Sequence, residues 1–290
     1  LMDAYLCNGL PITLPASRYR ENTHEAIFNN RDPRMAQTIL KPGAKWGGYP
    51  GKTTYEQPKF SNSATSCRTT TGWYFTKFVE LSAISRYNKD QNAIPLMRYA
   101  EVLLNWIEAK AELGGVTQTD IDNSINQLRR RPLDATAQAK GLKNTADMKL
   151  SDITRDQDVD PLIWEIRRER RMELVYEHCR LHDIKRWKKL EYMNNSKYPD
   201  TMTGPWVDMP KEVPTYLDDQ YIGKRQVKKE DGSIITFDGT NAADMVGYYL
   251  PTNALPRNTF SDRSYCSPVG EQEINTYAEK GFKLTQTKGW

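Results

Sequence analysis

Histidine and cysteine are scarce in this chain, with three His and four Cys in 290 residues. Cys7, Cys67, Cys179 and Cys266 are widely scattered, with neither C-x-x-C spacing nor a dense framework. That excludes a zinc ribbon and a disulfide-stapled fold. Free, buried thiols are the expected state for most, and which of them pair in an oxidising compartment stays open. No apolar run approaches the ~20 residues a spanning helix needs, and mean hydropathy is −0.75. Neither charge dominates: 41 Lys and Arg face 37 Asp and Glu, giving +4. Because the bases are interleaved with acids, no phosphate-tracking stripe exists and nucleic acid is not expected as a partner.

Catalytic signatures are missing too. The chain has no G-x-S-x-G, P-loop, G-x-G-x-x-G or H-E-x-x-H. His178 and His182 stand four apart beside Glu177, Cys179 and Asp183. On a helix that spacing gives two imidazoles on one face, but a zinc site needs further converging ligands and none is identifiable. Two histidines on a helix surface or at a helix junction are the favoured reading. Asp and Glu are abundant, yet nothing singles out a glycosidase pair. No enzyme activity, catalytic residue, metal or cofactor is expected.

What the chain does have is a charged run of helical spacing, Ile163 to Trp187. It opens on Asp160-Pro161, an N-cap acid before a proline at the first helical position. Leu162, Ile166, Arg170, Glu173 and Glu177 fall on one face, so an apolar stripe turns into charge on the same side. A solvated helix keeps its charges opposite the apolar stripe. Two readings stand: buried carboxylates paired with a cation from another helix, or a helix that leaves the core midway. A break is expected near Cys179-Arg180.

A second amphipathic helix runs from Ile94 to Ala109. Pro95 suits its first turn and Gly114-Gly115 ends it. Leu96, Ala100, Leu103, Leu104, Ile107 and Ala111 form its apolar face; Arg98, Glu101, Asn105, Glu108 and Glu112 form the polar one. Thr119 with Asp122 reads as a capping box for the next helix, completing a hairpin over residues 95–131. Residues 1–92 are rich in Gly, Pro, Asn and Thr and read as loops. From Glu191 onward Pro, Gly, Asp and Tyr dominate, and Gly232–Phe237 reads as a short strand or a turn.

The stretch I-P-L-M-R-Y-A-E-V-L-L-N-W-I-E-A-K-A-E-L-G resembles the signature of the SusD/RagB family of outer-membrane nutrient-binding lipoproteins. So does E-I-R-R-E-R-R-M-E-L-V-Y-E-H-C-R-L-H-D-I-K-R-W. Ile125 to Arg131 resembles the family's asparagine-leucine-arginine helix, and Thr71 to Phe78 its glycine-aromatic-lysine segment. Tyr248-Tyr249-Leu250-Pro251 and the closing Lys283 to Trp290 fit the family's last blocks. The blocks come in family order from about Thr71. Two positions depart: His178 stands where the family usually has glycine, and Leu181 where an aromatic is common.

The resemblance implies a mainly α protein of tetratricopeptide-like helical pairs with long irregular loops and few short strands. It divides as a loop-rich ligand-binding region, 1–92, and a helical core with C-terminal loops, 93–290, in one continuous domain. It implies a cell-surface glycan-binding lipoprotein of the outer membrane. Such a protein captures oligo- or polysaccharide and delivers it to a SusC-type TonB-dependent transporter. Family members are roughly twice as long, so the chain reads as the C-terminal portion of a precursor, with the lipid anchor on the missing N-terminal part. Two alternatives remain: peptide cargo in the same role, or a helical scaffold with no small ligand.

Candidate ligand contacts come from the aromatic-rich loops. Trp46, Tyr49 and Tyr55 lie in a Gly/Pro-rich stretch, Asn62 and Arg68 are polar neighbours, and Trp73 follows. Flat sugar C–H faces dock on exposed aromatic rings while Asn and Arg bond hydroxyls. The competing reading makes these rings loop anchors, which is favoured for Trp73. Trp106, Trp164 and Trp187 sit in helices and are expected to be packing residues.

Overall fold

The structure is a computed structural model. It describes residues 1–49, 52–54, 69–79, 91–93, 95–133, 135, 147–148, 155–251 and 260–290; for 45–49 and 52–54 it describes the backbone alone. Two compact units emerge. The first comprises Leu1–Glu177 and Thr203–Asn253, the second His178–Met202 and Ala254–Trp290.

In the first unit a short helix, α1 (Pro33–Thr38), precedes the strands β1 (Lys45–Tyr49) and β2 (Lys52–Thr54). Next come α2 (Tyr99–Leu113), α3 (Gln118–Asp122), α4 (Ile125–Arg129) and α5 (Pro161–Glu173). α5 starts where the sequence predicts: Asp160 Oδ1 accepts from the backbone N–H groups of Leu162 and Ile163, and Pro161 opens the helix. α2 packs against α5. Ala100, Leu103, Leu104 and Ile107 are buried on one side of α2, and Ile163 and Ile166 on α5.

Four local expectations shift. α2 begins at Tyr99, because Arg98 is extended and serves as its N-cap, so Pro95 lies outside the helix. Leu96, expected on the apolar face, is fully exposed. The capping box uses Thr117 and Asp120, not Thr119 and Asp122. Both pairs have the right spacing, but Asp120 also receives Lys110 Nζ at 2.6 Å, which holds its carboxylate at the helix start. The break after α5 falls at Leu174–His178, earlier than expected. Tyr176 and His178 are left-handed there (φ 61° and 62°), while Cys179 and Arg180 are helical.

A four-stranded antiparallel sheet completes the unit: β3 (Trp206–Asp208), β4 (Gln226–Lys228), β5 (Ile234–Thr236) and β6 (Val246–Leu250), in the order β3-β6-β4-β5. A short helix, α7 (Met209–Glu212), follows β3. Of the strand and turn readings open near Gly232, β5 realises the strand. Val207, Met209, Val213, Val227, Phe237, Met245 and Tyr249 form the core under the sheet. Arg225 is buried beside it, with its guanidinium 4.1 Å from the Tyr221 ring centroid and 5.1 Å from that of Tyr216. It also donates to the Tyr249 hydroxyl at 3.1 Å. Stacked aromatic faces replace the water this cation loses.

The second unit contains α6 (Cys179–Arg186) and α8 (Glu271–Glu279) with several single turns. Val269 and Gln286 exchange two hydrogen bonds, at 2.7 and 2.9 Å. Arg263 stacks 4.0 Å above the Trp290 ring, whose Nε1–H returns a bond to the Arg263 carbonyl. A shallow groove of about 440 Å³ runs beside Ile274, Ala278 and Phe282. Of the three described cysteines, only Cys7 is buried; Cys179 is half-buried and Cys266 exposed, all as free thiols. The expectation of buried thiols therefore fails for two of the three.

Candidate functional site

The candidate loops leave the fold between two stems that are laced together. Leu40 N–H donates to the Tyr74 carbonyl and Thr76 N–H to the Thr38 carbonyl, both at 2.8 Å, with Ile39 bridged to Phe75. The aromatic-rich stretch is thus one excursion from a closed base. Its far stem turns at Thr69, whose Oγ1 accepts from the backbone of Thr71 and Gly72. Thr71 then passes against Gly204: a Cβ there would lie 2.3 Å from the Thr71 carbonyl oxygen. Only glycine leaves room for the stem.

Of the six candidate residues, Trp46 and Tyr49 both fall on β1, which pairs with β2. Lys45 faces Thr54 and Tyr49 faces Lys52, so four steps on one strand answer two on the other. The register therefore shifts between Lys45 and Tyr49, a stretch that holds Gly47 and Gly48. Tyr55, Asn62 and Arg68 lie outside the described residues. Trp73 is partly buried on the core. Its ring centroid is 5.6 Å from that of His24 and 6.4 Å from that of Phe28. Burial pushes the His24 imidazole down to about 4, so a neutral ring packs against Trp73. This is the anchoring arrangement favoured for Trp73.

The base is held by an ion-pair hub that decides between the two readings of the charged helix. Glu169 is fully buried and Glu173 nearly so. Arg34 of α1 reaches Asp32 Oδ2 and Glu169 Oε1 at 2.6 Å and Glu173 Oε2 at 2.9 Å. Arg129 of α4 meets Glu169 Oε2 at 2.7 Å. Arg131 and Arg98 meet the two oxygens of Glu173 at 2.8 and 2.6 Å. Arg98 also meets Glu177 at 2.6 Å, and Lys77 caps the same carboxylate. Burial alone would push the Glu173 carboxyl up. The guanidinium groups of Arg34, Arg131 and Arg98 outweigh it and hold the carboxyl at about 2.

The sequence pointed to the acids and to one cation-bearing segment, α2, which supplies Arg98. It did not point to Arg34. A signal was present: Asp32-Pro33 repeats the Asp160-Pro161 start, and Asp32 indeed caps α1 through the Arg34 N–H. The tryptophan expectations divide. Trp164 and Trp187 are half-buried, but Trp106 is 42% exposed and is no core residue.

The sequence model of the SusD family matches residues 2–290. The chain belongs to the SusD family. Solved SusD-like folds agree with that membership. A SusD-like protein from Bacteroides fragilis NCTC 9343 is similar over 100% of this chain and 45% of its own, at 21% identity and a TM-score of 0.55. The structure of BT4246 is similar over 100% of this chain and 43% of its own, at 20% identity and a TM-score of 0.58. The SusD fold seen here therefore spans under half the length of these chains. The helix-rich architecture with a few short strands is the expected class. No curated protein matches the sequence.

Proposed function

We propose that this SusD-family protein binds a glycan at the cell surface and performs no chemistry on it. The protein captures an oligo- or polysaccharide and passes it to a SusC-type TonB-dependent transporter. It sits on the outer membrane through a lipid anchor carried outside these residues. The observation that carries this reading is the family match from residue 2 to residue 290. Among the described residues no helix is long and apolar enough to cross a membrane.

Within this reading Trp46, Tyr49 and Tyr55 supply stacking faces, with Asn62 and Arg68 as hydrogen-bonding neighbours. Where the pair falls supports the assignment: Trp46 and Tyr49 share β1, on the excursion that leaves the laced base. Trp73 is the sixth residue of the proposed site and acts from beneath, holding the stem that presents the others.

The test is affinity electrophoresis of the native protein through gels containing a panel of polysaccharides. A Trp46→Ala, Tyr49→Ala double variant runs alongside. Retardation in one gel, abolished in the variant, supports both ligand class and site. Retardation unchanged in the variant moves the site elsewhere. No retardation in any gel overturns the glycan reading, and a peptide-library screen then separates peptide cargo from a scaffold role.

A further inference from the structure

Arg225 is a buried cation that the fold leaves without an acid. It is 1% exposed, and among the described residues no carboxylate pairs with it. Its guanidinium donates to the Tyr249 hydroxyl, while its Nε–H finds no acceptor. Arg34, Arg129 and Arg170, also buried, all end on carboxylates. A buried donor left unsatisfied calls for a reason, and here the reason lies in two rings.

Tyr216 and Tyr221 come from the consecutive single turns Pro214–Leu217 and Asp219–Tyr221, just ahead of β4. Their rings lie 23° from parallel with centroids 5.9 Å apart. Arg225 is 4.1 Å from the Tyr221 centroid and 5.1 Å from that of Tyr216, closer to each than they are to one another. It therefore stands on one side of the pair, neither in line between the rings nor stacked beyond one of them. Both tyrosines are half-buried while Arg225 is sealed. The rings thus roof the cation and turn their other faces outward. A guanidinium beneath two rings fixes their planes through its attraction to both, and a surface held in advance loses little freedom when it binds.

The rim of this surface is polar and unoccupied. Asp218, Asp219 and Gln220 join the two turns and are all exposed. Among the described residues their side chains make no hydrogen bond or ion pair. Asp218 stands at the N-cap of the second turn, where an acid ordinarily accepts from the turn's N–H groups, and makes no such bond.

Flat rings edged by open acceptors match the chemistry of a sugar, whose C–H face lies on the aromatics while its hydroxyls donate to the rim. An apolar protein surface would strip water from those acceptors without replacing it. An anionic ligand would meet the charges of Asp218 and Asp219. We propose that Tyr216 and Tyr221, with Asp218, Asp219 and Gln220 at their rim, form a second stacking platform for neutral sugar residues, held flat from beneath by Arg225. The platform rests on the glycan reading above and adds to the hold of the Trp46–Tyr55 excursion.

Affinity electrophoresis of the native protein tests it, through gels of amylopectin, xylan, galactomannan, mixed-linkage glucan or galactan, with mobility taken relative to a glycan-free gel. Tyr216→Ala, Tyr221→Ala is expected to lose several-fold of the wild-type retardation, and Tyr216→Phe, Tyr221→Phe, which keeps the rings, to recover it. Both rings also pack on the core under the sheet, so a second variant leaves them in place. Asp218→Ala, Asp219→Ala, Gln220→Ala is expected to weaken retardation several-fold with an unchanged melting temperature. If the wild type is retarded and this rim variant matches it, the tyrosines are packing residues and the platform alone is overturned. If the wild type runs free in every gel, the glycan reading fails and the platform fails with it.

Discussion

Glu169 divides its carboxylate between two arginines: Oε1 takes Arg34 from α1 at 2.6 Å, and Oε2 takes Arg129 from α4 at 2.7 Å. The three side chains come from elements more than a hundred residues apart at the extreme, yet none has meaningful contact with water. Glu173, one turn on, repeats the arrangement with Arg34, Arg131 and Arg98. The stripe on α5 is therefore a clamp built from acids on one helix and cations from three other segments.

Removing one acid leaves buried cations without their counter-charge. Glu173→Ala is expected to cost about 3–5 kcal/mol, as for other broken buried pairs. Urea unfolding monitored by circular dichroism measures it. A change within ~0.5 kcal/mol, the ordinary surface range, would mean the charges are solvated.

Two groups make the fold acid-labile, and both signs agree. Glu173 sits at about 2 in the fold against an ordinary 4.5, so its contribution is complete above 4.5 and is lost as pH falls toward 2. His24 sits at about 4 against 6.5, so the unfolded chain binds its proton first and stability falls between those values. Protonation of either group costs the fold about 3 kcal/mol relative to the unfolded chain, on the 1.36 kcal/mol-per-unit scale. His24→Asn is expected to flatten the upper part of a pH–stability curve and leave the lower part. A wild-type curve flat from pH 7 to 4 would refute the assignment for His24.

Gly204→Ala forces a Cβ to within 2.3 Å of the Thr71 carbonyl oxygen, a backbone atom with no rotamer to yield. Overpacking of this kind costs roughly 1–3 kcal/mol. Because the stem of the aromatic excursion must move, the variant is also expected to weaken retardation in the glycan gel. Loss of stability with unchanged retardation would show that stem and site are independent.

His178 occupies a left-handed conformation at φ 62° on the exposed surface just before α6. A side chain there costs roughly 1–2 kcal/mol over glycine. His178→Gly should therefore raise the melting temperature by a few degrees, despite removing a side chain. A lowered midpoint would show that the imidazole makes a contact worth more than the strain it causes.

Much of this was legible in the chain. Asp160-Pro161 set the start of α5, Gly114 closed α2, and the in-line charges signalled a buried network. The positions of residues such as Thr117 and Pro95 were not, because local spacing leaves equivalent solutions that a distant side chain resolves. Lys110 chose Asp120, and the bonds from Arg98 to Glu173 and Glu177 fixed where α2 begins. His178 was the departure from glycine noted in the sequence, and its left-handed backbone gives that departure a physical meaning. At the candidate site the chain named aromatic residues in a loop, but the lacing of Ile39 to Phe75 that closes its base joins segments with no shared pattern.

The clamp also has a timetable. Arg34 meets Glu169 and Glu173 across 135 and 139 residues of intervening chain. During synthesis its guanidinium must stay hydrated until α5 has emerged, and loop closure of that length is among the slowest steps available to a domain. Contacts of this kind form late, so weakening them leaves the folding rate nearly untouched and speeds unfolding instead. Stopped-flow traces of Arg34→Ala would then differ from wild type on the unfolding limb alone, and the lifetime of the folded protein would be governed by how seldom α1 lets go of α5.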